Sequence, residues 1–571
     1  MNKGLSILLI VCITISFSCS EEFLDIKPGG GLTENVLATE KGVDALLIGA
    51  YSMLDGVSAN FGWESASSNW LYGDVRGLIG NIGSDAGSSG GEFPIKSFWE
   101  NSENDYLNVK WREVYEAVSR CNSAIMVTNL ALKNGTISQI QAESFIKQAK
   151  TLRGWFHFEA WRMWKKIPYV DENTILDSIT NKIDIRDKII ADLNEGITLP
   201  DNMGQIGRFN ATVSKVLLAK AKMQMYNEYT GALSLLSEAK NGTKPNGAAI
   251  GLAPTYGEIF DLENRNGIEA VYTVQYSVND GSGGWNGGWG EVLNFPYKSG
   301  GSPGGCCGFF QPTQEFVNSF RTFGGLPLFD NVYNYDPVKS DQGLKPADPF
   351  TEDTGPLDPR LDWSVGRRGI PYWDWGLHTG SDWIRDQTFA GPYSPKKQVY
   401  KKSQEGIYTE TGNWTSGYTA NGYRMIRYAD LLLLLAECQI ETGDVESART
   451  NINLVRARAA NPAGFVKEAD GITPAANYVI SLYPSFSSQQ EARLALRMER
   501  KLELGMEGHR WFDLNRWGIT VIELNRALSY EKTMPWGRNM YSSAIVGPED
   551  ITYPIPQHQI DLSHKRLVQN R

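Results

Sequence analysis

ATVSKVLLAKAKMQMYNEYTGALSLLSEAK at residues 211–240 and RYADLLLLLAECQIETGDVESARTNINLVRARA at residues 427–459 are the stretches whose reading decides the fold. In the first, Leu217-Leu218-Ala219-Lys220 is followed by Tyr226, Tyr229 and Ala232; in the second, Leu434-Leu435-Ala436-Glu437 is followed by Gly443-Asp444 and Ala448. Apolar residues recur at helical spacing on both sides of a short break. The alanines lie 13 positions apart in one stretch (219 to 232) and 12 in the other (436 to 448). Small side chains so placed let two antiparallel helices approach closely.

Outward from these stretches the helical pattern continues. Trp111, Val114, Tyr115, Val118, Cys121 and Ile125 recur at three or four residues, as do Ile146, Ala149, Leu152, Phe156, Ala160 and Met163. Both read as amphipathic helices, and Pro168 predicts that the second stops at or before Ile167. Helical pairs of this kind are the unit of tetratricopeptide repeats. The pairs are degenerate and widely separated. The chain is therefore read as mostly α: a discontinuous tetratricopeptide-like helical scaffold, 32–240 and 424–571, interrupted by a long loop-rich and aromatic-rich insertion, 241–423.

The amino terminus carries an address. Met1-Asn2-Lys3 precedes an apolar run from Leu5 to Phe17, which ends at Ser18-Cys19-Ser20-Glu21-Glu22. The run is too short to span a bilayer and has the order of a secretory signal. Cys19 stands where such a signal would end at a lipid-accepting cysteine, so residues 1–18 are expected to be a lipoprotein signal and 19–31 a lipidated tether. Ser16 stands where Leu is usual in such signals, and the other reading is an ordinary secretory signal with an incidental cysteine. Acyl chains on Cys19 would anchor the protein to a membrane, each buried methylene contributing about 0.8 kcal/mol. Among 571 residues the formal charge is −10, which argues against nucleic acid as a partner. Six cysteines, at 12, 19, 121, 306, 307 and 438, are too few for a disulfide scaffold.

Aromatic residues concentrate in the insertion, where Gly-Gly-Trp-Asn-Gly-Gly-Trp-Gly occupies 283–290 and Tyr372-Trp373-Asp374-Trp375 precedes Trp383. Glycine-rich loops bearing flat rings suit a ligand-holding surface. The apolar face of a pyranose packs on such rings while nearby polar groups bond its hydroxyls. The candidate ligand residues are Trp285 and Trp289, then Trp70 and Tyr72 in an early loop near 60–100, then Trp373, Trp375 and Trp383. For each, the competing reading is a packing role. Trp111, Trp155, Trp161, Trp511 and Trp517 sit in helical patterns and are expected in the core. The adjacent Cys306 and Cys307, flanked by Gly304, Gly305 and Gly308, could form a vicinal disulfide or remain two buried thiols.

Nothing in the sequence marks catalysis. There is no HExxH, no CxxC and no phosphate loop, and the five histidines, 157, 378, 509, 558 and 564, are scattered. Neither a metal nor a cofactor is expected. Glu499, Glu503 and Glu507 share one helix face, but Arg497, Arg500, Lys501 and Arg510 interleave with them, so the expectation is a structural ion-pair network and not an acid/base pair.

Several motifs together resemble the SusD/RagB family: Cys121-Asn122; Ala149-Lys150-Thr151-Leu152-Arg153 with Ile167-Pro168; Ile426-Arg427-Tyr428-Ala429-Asp430 with Ala436-Glu437; Glu499-Arg500 through Glu507-Gly508 and Arg510-Trp511-Phe512-Asp513-Leu514; and Tyr553-Pro554-Ile555-Pro556 before Gln569-Asn570. The resemblance implies a lipid-anchored, surface-exposed protein of the cell outer membrane. It further implies a non-enzymatic protein that binds glycan and delivers it to a SusC-like TonB-dependent transporter. The pair Glu21-Glu22 after Cys19 is similar to the export signal of such lipoproteins. The resemblance also allows, as the second reading, the same architecture capturing peptides, and a protein-interaction scaffold is the third.

Overall fold

The computed structural model describes residues 33–58, 62–88, 90–297, 301–304, 306–412 and 415–571. The leader, Cys19 and the tether lie outside the described residues. The amino-terminal scaffold contains α1 (Glu40–Ser52), α2 (Asp105–Lys133), α3 (Gln139–Trp164), α4 (Arg186–Glu195), α5 (Ala211–Tyr226) and α6 (Tyr229–Ala239). Side chains cap the starts that the sequence needs. Asn104 accepts from the backbone N–H groups of Tyr106 and Leu107, Ser138 forms a capping box with Gln141, and Asn210 accepts from Val213. Helix α3 stops at Trp164, ahead of Pro168 as its sequence requires.

The carboxy-terminal scaffold adds α7 (Tyr428–Glu441), α8 (Val445–Ala459), α9 (Gln489–Leu504), α10 (Arg510–Arg516) and α11 (Thr520–Glu531). From α1 to α9 each helix packs on the next, including α6 on α7, which the insertion separates in sequence. The two half-scaffolds thus form one stack. Ala219, Ala232, Ala436 and Ala448 are wholly buried at the close approaches, and Leu431 to Leu435 bury the first turns of α7 on both sides. Trp111, Trp155, Trp161 and Trp511 are buried as expected, with Trp517 packed at the edge of the same core. No helix among the described residues is long and apolar enough to cross a membrane.

Four short strands attach the insertion: β1 (Gly80–Gly83), β2 (Ala270–Tyr272), β3 (Phe309–Pro312) and β4 (Ile426–Arg427). β1 pairs antiparallel with β3, and β2 with β4. The first pairing holds the early loop to the insertion; the second clamps the entrance of the insertion to its exit.

Charge locks the same junction. The Arg427 guanidinium reaches Glu269 at 2.6 Å, Glu503 at 3.0 Å and Glu507 at 2.7 Å. Arg458 bridges Glu269 at 2.7 Å and Glu503 at 2.5 Å, while Arg360 meets Asp358 at 2.8 Å, Glu499 at 2.5 Å and Glu503 at 3.2 Å. Arg456 pairs with Glu499 at 2.9 Å and Lys397 with Glu507 at 2.7 Å. Five cations and five carboxylates therefore balance, none more than 7% exposed.

The glutamate face of α9 is the expected ion-pair network, but its partners are not the interleaved cations. Residues one or two positions apart on a helix point to different faces. Arg500 turns instead to Asp430 and Asp513, Lys501 to Glu315 and Arg510 to Glu523.

Removing one member of a buried ionic cluster strands its partners, at a cost of about 3–5 kcal/mol. Glu503→Ala is expected to lose that much in denaturant unfolding. Glu446→Ala, which breaks an exposed pair with Arg449, should change stability by less than about 1 kcal/mol. Burial alone would raise the Glu507 carboxyl, yet the charges of Arg427 and Lys397 outweigh it and hold the group at about 2. Because that lies below the unfolded value of about 4.3, the stabilisation is complete above about pH 5 and lost as pH falls toward 2. Unfolding free energy measured from pH 5 to 3 should drop, and Glu507→Gln should flatten that slope.

Candidate functional site

The loop that carries Trp285 is built by its own polar residues. Asp280 accepts from the Ser282 N–H at 2.9 Å and from the Asn286 side chain at 2.8 Å, while the Ser277 N–H donates to the Asn286 carbonyl at 2.8 Å. Hydrogen bonds from Asn286 and Ser282 hold the Asp280 carboxyl well below the usual carboxylate range. Asn279 donates its N–H to Glu410 at 2.8 Å, on the strand Thr409–Glu410 that pairs with Tyr418–Thr419. Gly284 sits at φ +91°, and a Cβ there would come within 2.8 Å of the Tyr418 ring. Only glycine lets the loop lie flat on that tyrosine.

The result is a ladder of rings. Trp285 stacks on Trp289 with centroids 4.7 Å apart and an interplanar angle of 26°. Trp289 in turn faces Trp63 at 6.4 Å and 24°, and touches Tyr418 at 4.9 Å. Exposure falls from 47% at Trp285 to 8% at Trp289. Trp285 therefore offers an outer face to solvent, whereas Trp289 lies mostly covered beneath it. Below the ladder, Trp63 donates its indole N–H to Tyr106 at 3.3 Å, and Tyr106 donates to Glu92 at 2.5 Å. The buried indole N–H of Trp289 has no hydrogen-bond partner among the described residues.

Alongside, Ser65, Ser67, Lys110, Glu113 and Glu159 line a cavity of about 30 Å³. Lys110 donates to the carbonyls of Ser65 and Ala66, and burial lowers its ammonium to about 8. A space of that size holds a water or two and no sugar ring.

Of the residues singled out in the sequence, Trp285 and Trp289 are brought together. Trp70 and Tyr72 are not available: each is 1% exposed, within a single π-helical turn, Trp70–Val75, buried throughout. The Trp70 indole donates to the Gly290 carbonyl at 3.1 Å, and Tyr72 donates to the carbonyls of Glu64 and Tyr106. They support the ladder from inside and have no face to offer a ligand. Trp383, at 2% exposed, packs with Phe295, Tyr372, Val399 and Tyr400 in a separate small core. Half-buried Trp373 packs on Trp363, and Trp375 donates to the Tyr400 carbonyl at 2.9 Å. Among the described residues no ring contact joins this group to Trp285 or Trp289.

Cys306 and Cys307 have sulfurs within bonding distance across a cis peptide, in a segment where Gly308 donates its N–H to the Phe295 carbonyl. His157 is a packing residue: its Nε2 accepts from the Val170 N–H, leaving Nδ1 to donate to the Arg153 carbonyl, and burial lowers it to about 3. Two members of the ladder were not singled out in the sequence, Trp63 and Tyr418. Each follows a glycine, Gly62 and Gly417, the same signal that marked Trp285.

The sequence profile of the SusD family matches residues 268–571, more than half of the chain. The chain belongs to the SusD family. SusD-like protein P2 of Formosa agariphila is 23% identical over 531 residues, covering 90% of each chain. Among solved structures, a SusD superfamily protein from Bacteroides vulgatus superposes with a TM-score of 0.66 at 17% identity, covering 94% of this chain and 99% of its own. A laminarin-binding SusD-like protein gives 0.65 at 20% identity over 93% and 99%. Surface glycan-binding protein A from Bacteroides thetaiotaomicron, in complex with laminarihexaose, gives 0.63 at 20% over the same shares. These likenesses establish the mostly α fold expected from the sequence.

Burial separates the two kinds of tryptophan experimentally. Trp70→Ala should destabilise the protein by about 3–5 kcal/mol through the cavity it leaves. Trp285→Ala should shift unfolding by about 1 kcal/mol or less, the scale of a single aromatic pair at the surface. Denaturant unfolding of both variants checks the contrast.

Proposed function

We propose that this SusD-family chain is a non-enzymatic, surface-exposed lipoprotein of the outer membrane. It binds glycan on the open face of Trp285 and passes it to a TonB-dependent transporter. The observation that carries the reading is the ring ladder, in which Trp285, 47% exposed, is stacked on a buried Trp289 and held by a hydrogen-bonded loop. A rigid flat ring with one free face suits the C–H face of a pyranose. Asn286, exposed beside it, supplies hydrogen-bonding groups for hydroxyls. The laminarin and laminarihexaose bound by two structural neighbours support sugar as the ligand class. The carboxylates of α9 play no part in this reading, since Glu499 and Glu503 are fully buried among guanidiniums.

Isothermal titration with panels of oligosaccharides and peptides tests the ligand class. A glycan should bind, and Trp285→Ala should weaken it by roughly 1–3 kcal/mol, about five- to 150-fold in Kd. Binding of peptides alone would move the reading to peptide capture. Turnover of any bound sugar would overturn the non-enzymatic reading.

Anchoring rests on Cys19 and delivery on residues 20–31 acting as a leash. Cys19→Ala should move the protein out of the outer-membrane fraction with its unfolding temperature unchanged. Persistence of that variant in membranes lacking the transporter would contradict the anchor. Mild-detergent purification of the native protein should recover a large TonB-dependent transporter with it, and recovery alone would count against the pairing.

A further inference from the structure

A second concavity lies far along the chain from the ring ladder. It is walled by three elements. Helix α9 contributes Leu494, Arg497, Met498 and Lys501, at the i, i+3, i+4, i+7 spacing of one helical stripe. Helix α11 contributes Ile522, Glu523 and Arg526, and the turn before Val332–Tyr335 contributes Phe329 and Asp330. The space is about 180 Å³, the liquid volume of roughly six waters, enough for a compact molecule of about six to ten heavy atoms.

The charges do not cancel. Lys501 is committed to Glu315 at 2.8 Å, with Tyr333 also bonded to that carboxylate. Glu523 is shared, pairing with Arg510 at 2.9 Å and with Arg526. Arg526 keeps a buried Nε–H without a hydrogen-bond partner. Arg497 lies over the Trp517 ring at 5.3 Å and forms no ion pair among the described residues. Burial lowers its guanidinium; Glu437 and Glu441 lie near it but are already paired with Arg516 and Arg493. Along the cleft Arg497, Lys501, Arg510 and Arg526 meet Glu523, Glu315 and, at the exposed rim, Asp330, so the lining carries more positive than negative groups. The remaining walls are apolar, Phe329, Leu494, Met498 and Ile522 among them. A bare inorganic anion would satisfy the guanidiniums and leave those walls wet.

We propose that this cleft binds a small organic carboxylate with an apolar body, its charge held by Arg497 and Arg526 and its body against Leu494, Met498 and Ile522. A guanidinium and a carboxylate match as planar forks, and the pairing strengthens where water is partly excluded. Two sources share this chemistry, a free organic acid and an acidic sugar residue.

Saturation-transfer NMR and titration calorimetry on the whole protein test it, with benzoate and D-glucuronate as probes and D-glucose and inorganic phosphate as controls. At least one carboxylate should bind at about 10 mM or below, and stronger binding of benzoate or of glucuronate assigns the source. Arg497→Gln should weaken binding at least about tenfold, with Arg497→Lys retaining more. Ile522→Glu, at a residue 76% exposed, should repel the probe without disturbing the fold. Trp285→Ala should leave carboxylate binding unchanged, which separates this site from the ring ladder. The proposal is overturned if neither carboxylate binds at that concentration, or if phosphate binds as well as both. Binding undiminished in both Arg497→Gln and Ile522→Glu, or abolished in Trp285→Ala, would also overturn it.

Discussion

Glu503 stands at zero exposure between three guanidiniums: Arg360 from the middle of the insertion, Arg427 at its exit and Arg458 on α8. Desolvating a carboxylate costs several kcal/mol, and only partners in good geometry recover it. The partners reach Glu503 across 143, 76 and 45 residues of chain. The cluster is complete only with the insertion and the helical stack both in place. Glu269 adds to this by bridging Arg427 and Arg458 from the residue before β2. The pairing of β2 with β4 and the charge cluster thus act on the same few residues. Such clusters contribute more to specifying an arrangement than to net stability, and a loop-rich insertion needs that specification.

The ring ladder depends on this frame through short steps. β4 leads out of the segment that carries Tyr418, and β1 with β3 brings the early loop against the insertion. Trp70 is inserted beneath, its indole bonded to the Gly290 carbonyl, one residue from Trp289. Asp74 accepts from the N–H groups of Gly508 and Arg510 and so ties the early loop to the turn between α9 and α10. Ordering Trp285 at the tip costs little further entropy, because the ring below it is already fixed. A surface ring held this way is ordered before any ligand arrives.

The helical stack was legible in the sequence because its information is local. Apolar recurrence at three or four residues and the stop at Pro168 each act within one or two turns, and the alanines of α5 to α8 fell where helices cross. The acidic face of α9 was also legible as an ion-pair surface, but its cations were not, since Arg360, Lys397 and Arg458 reach it only through tertiary folding. Trp70, Tyr72 and Trp383 are buried and offer a ligand no face. At Tyr72 the neighbouring glycine marks close backbone approach and not an open loop. A Cβ on Gly73 would stand 1.9 Å from the Gly508 carbonyl oxygen, so that glycine is there for packing. Trp63 and Tyr418 escaped notice because nothing local tells which glycine-flanked ring will meet Trp289 from 226 or 129 residues away.

The account's central claim is that ligand is held on the outer face of Trp285. Hydroxyl-radical footprinting of the whole protein, with and without a bound oligosaccharide, tests it directly by reading oxidation at every tryptophan. The account predicts strong protection of Trp285, with Trp70, Trp383 and Trp511 unreactive in both states because they are buried. Protection centred instead on Trp99, 57% exposed, or on Trp373 and Trp375, with Trp285 oxidised equally in both states, would contradict it.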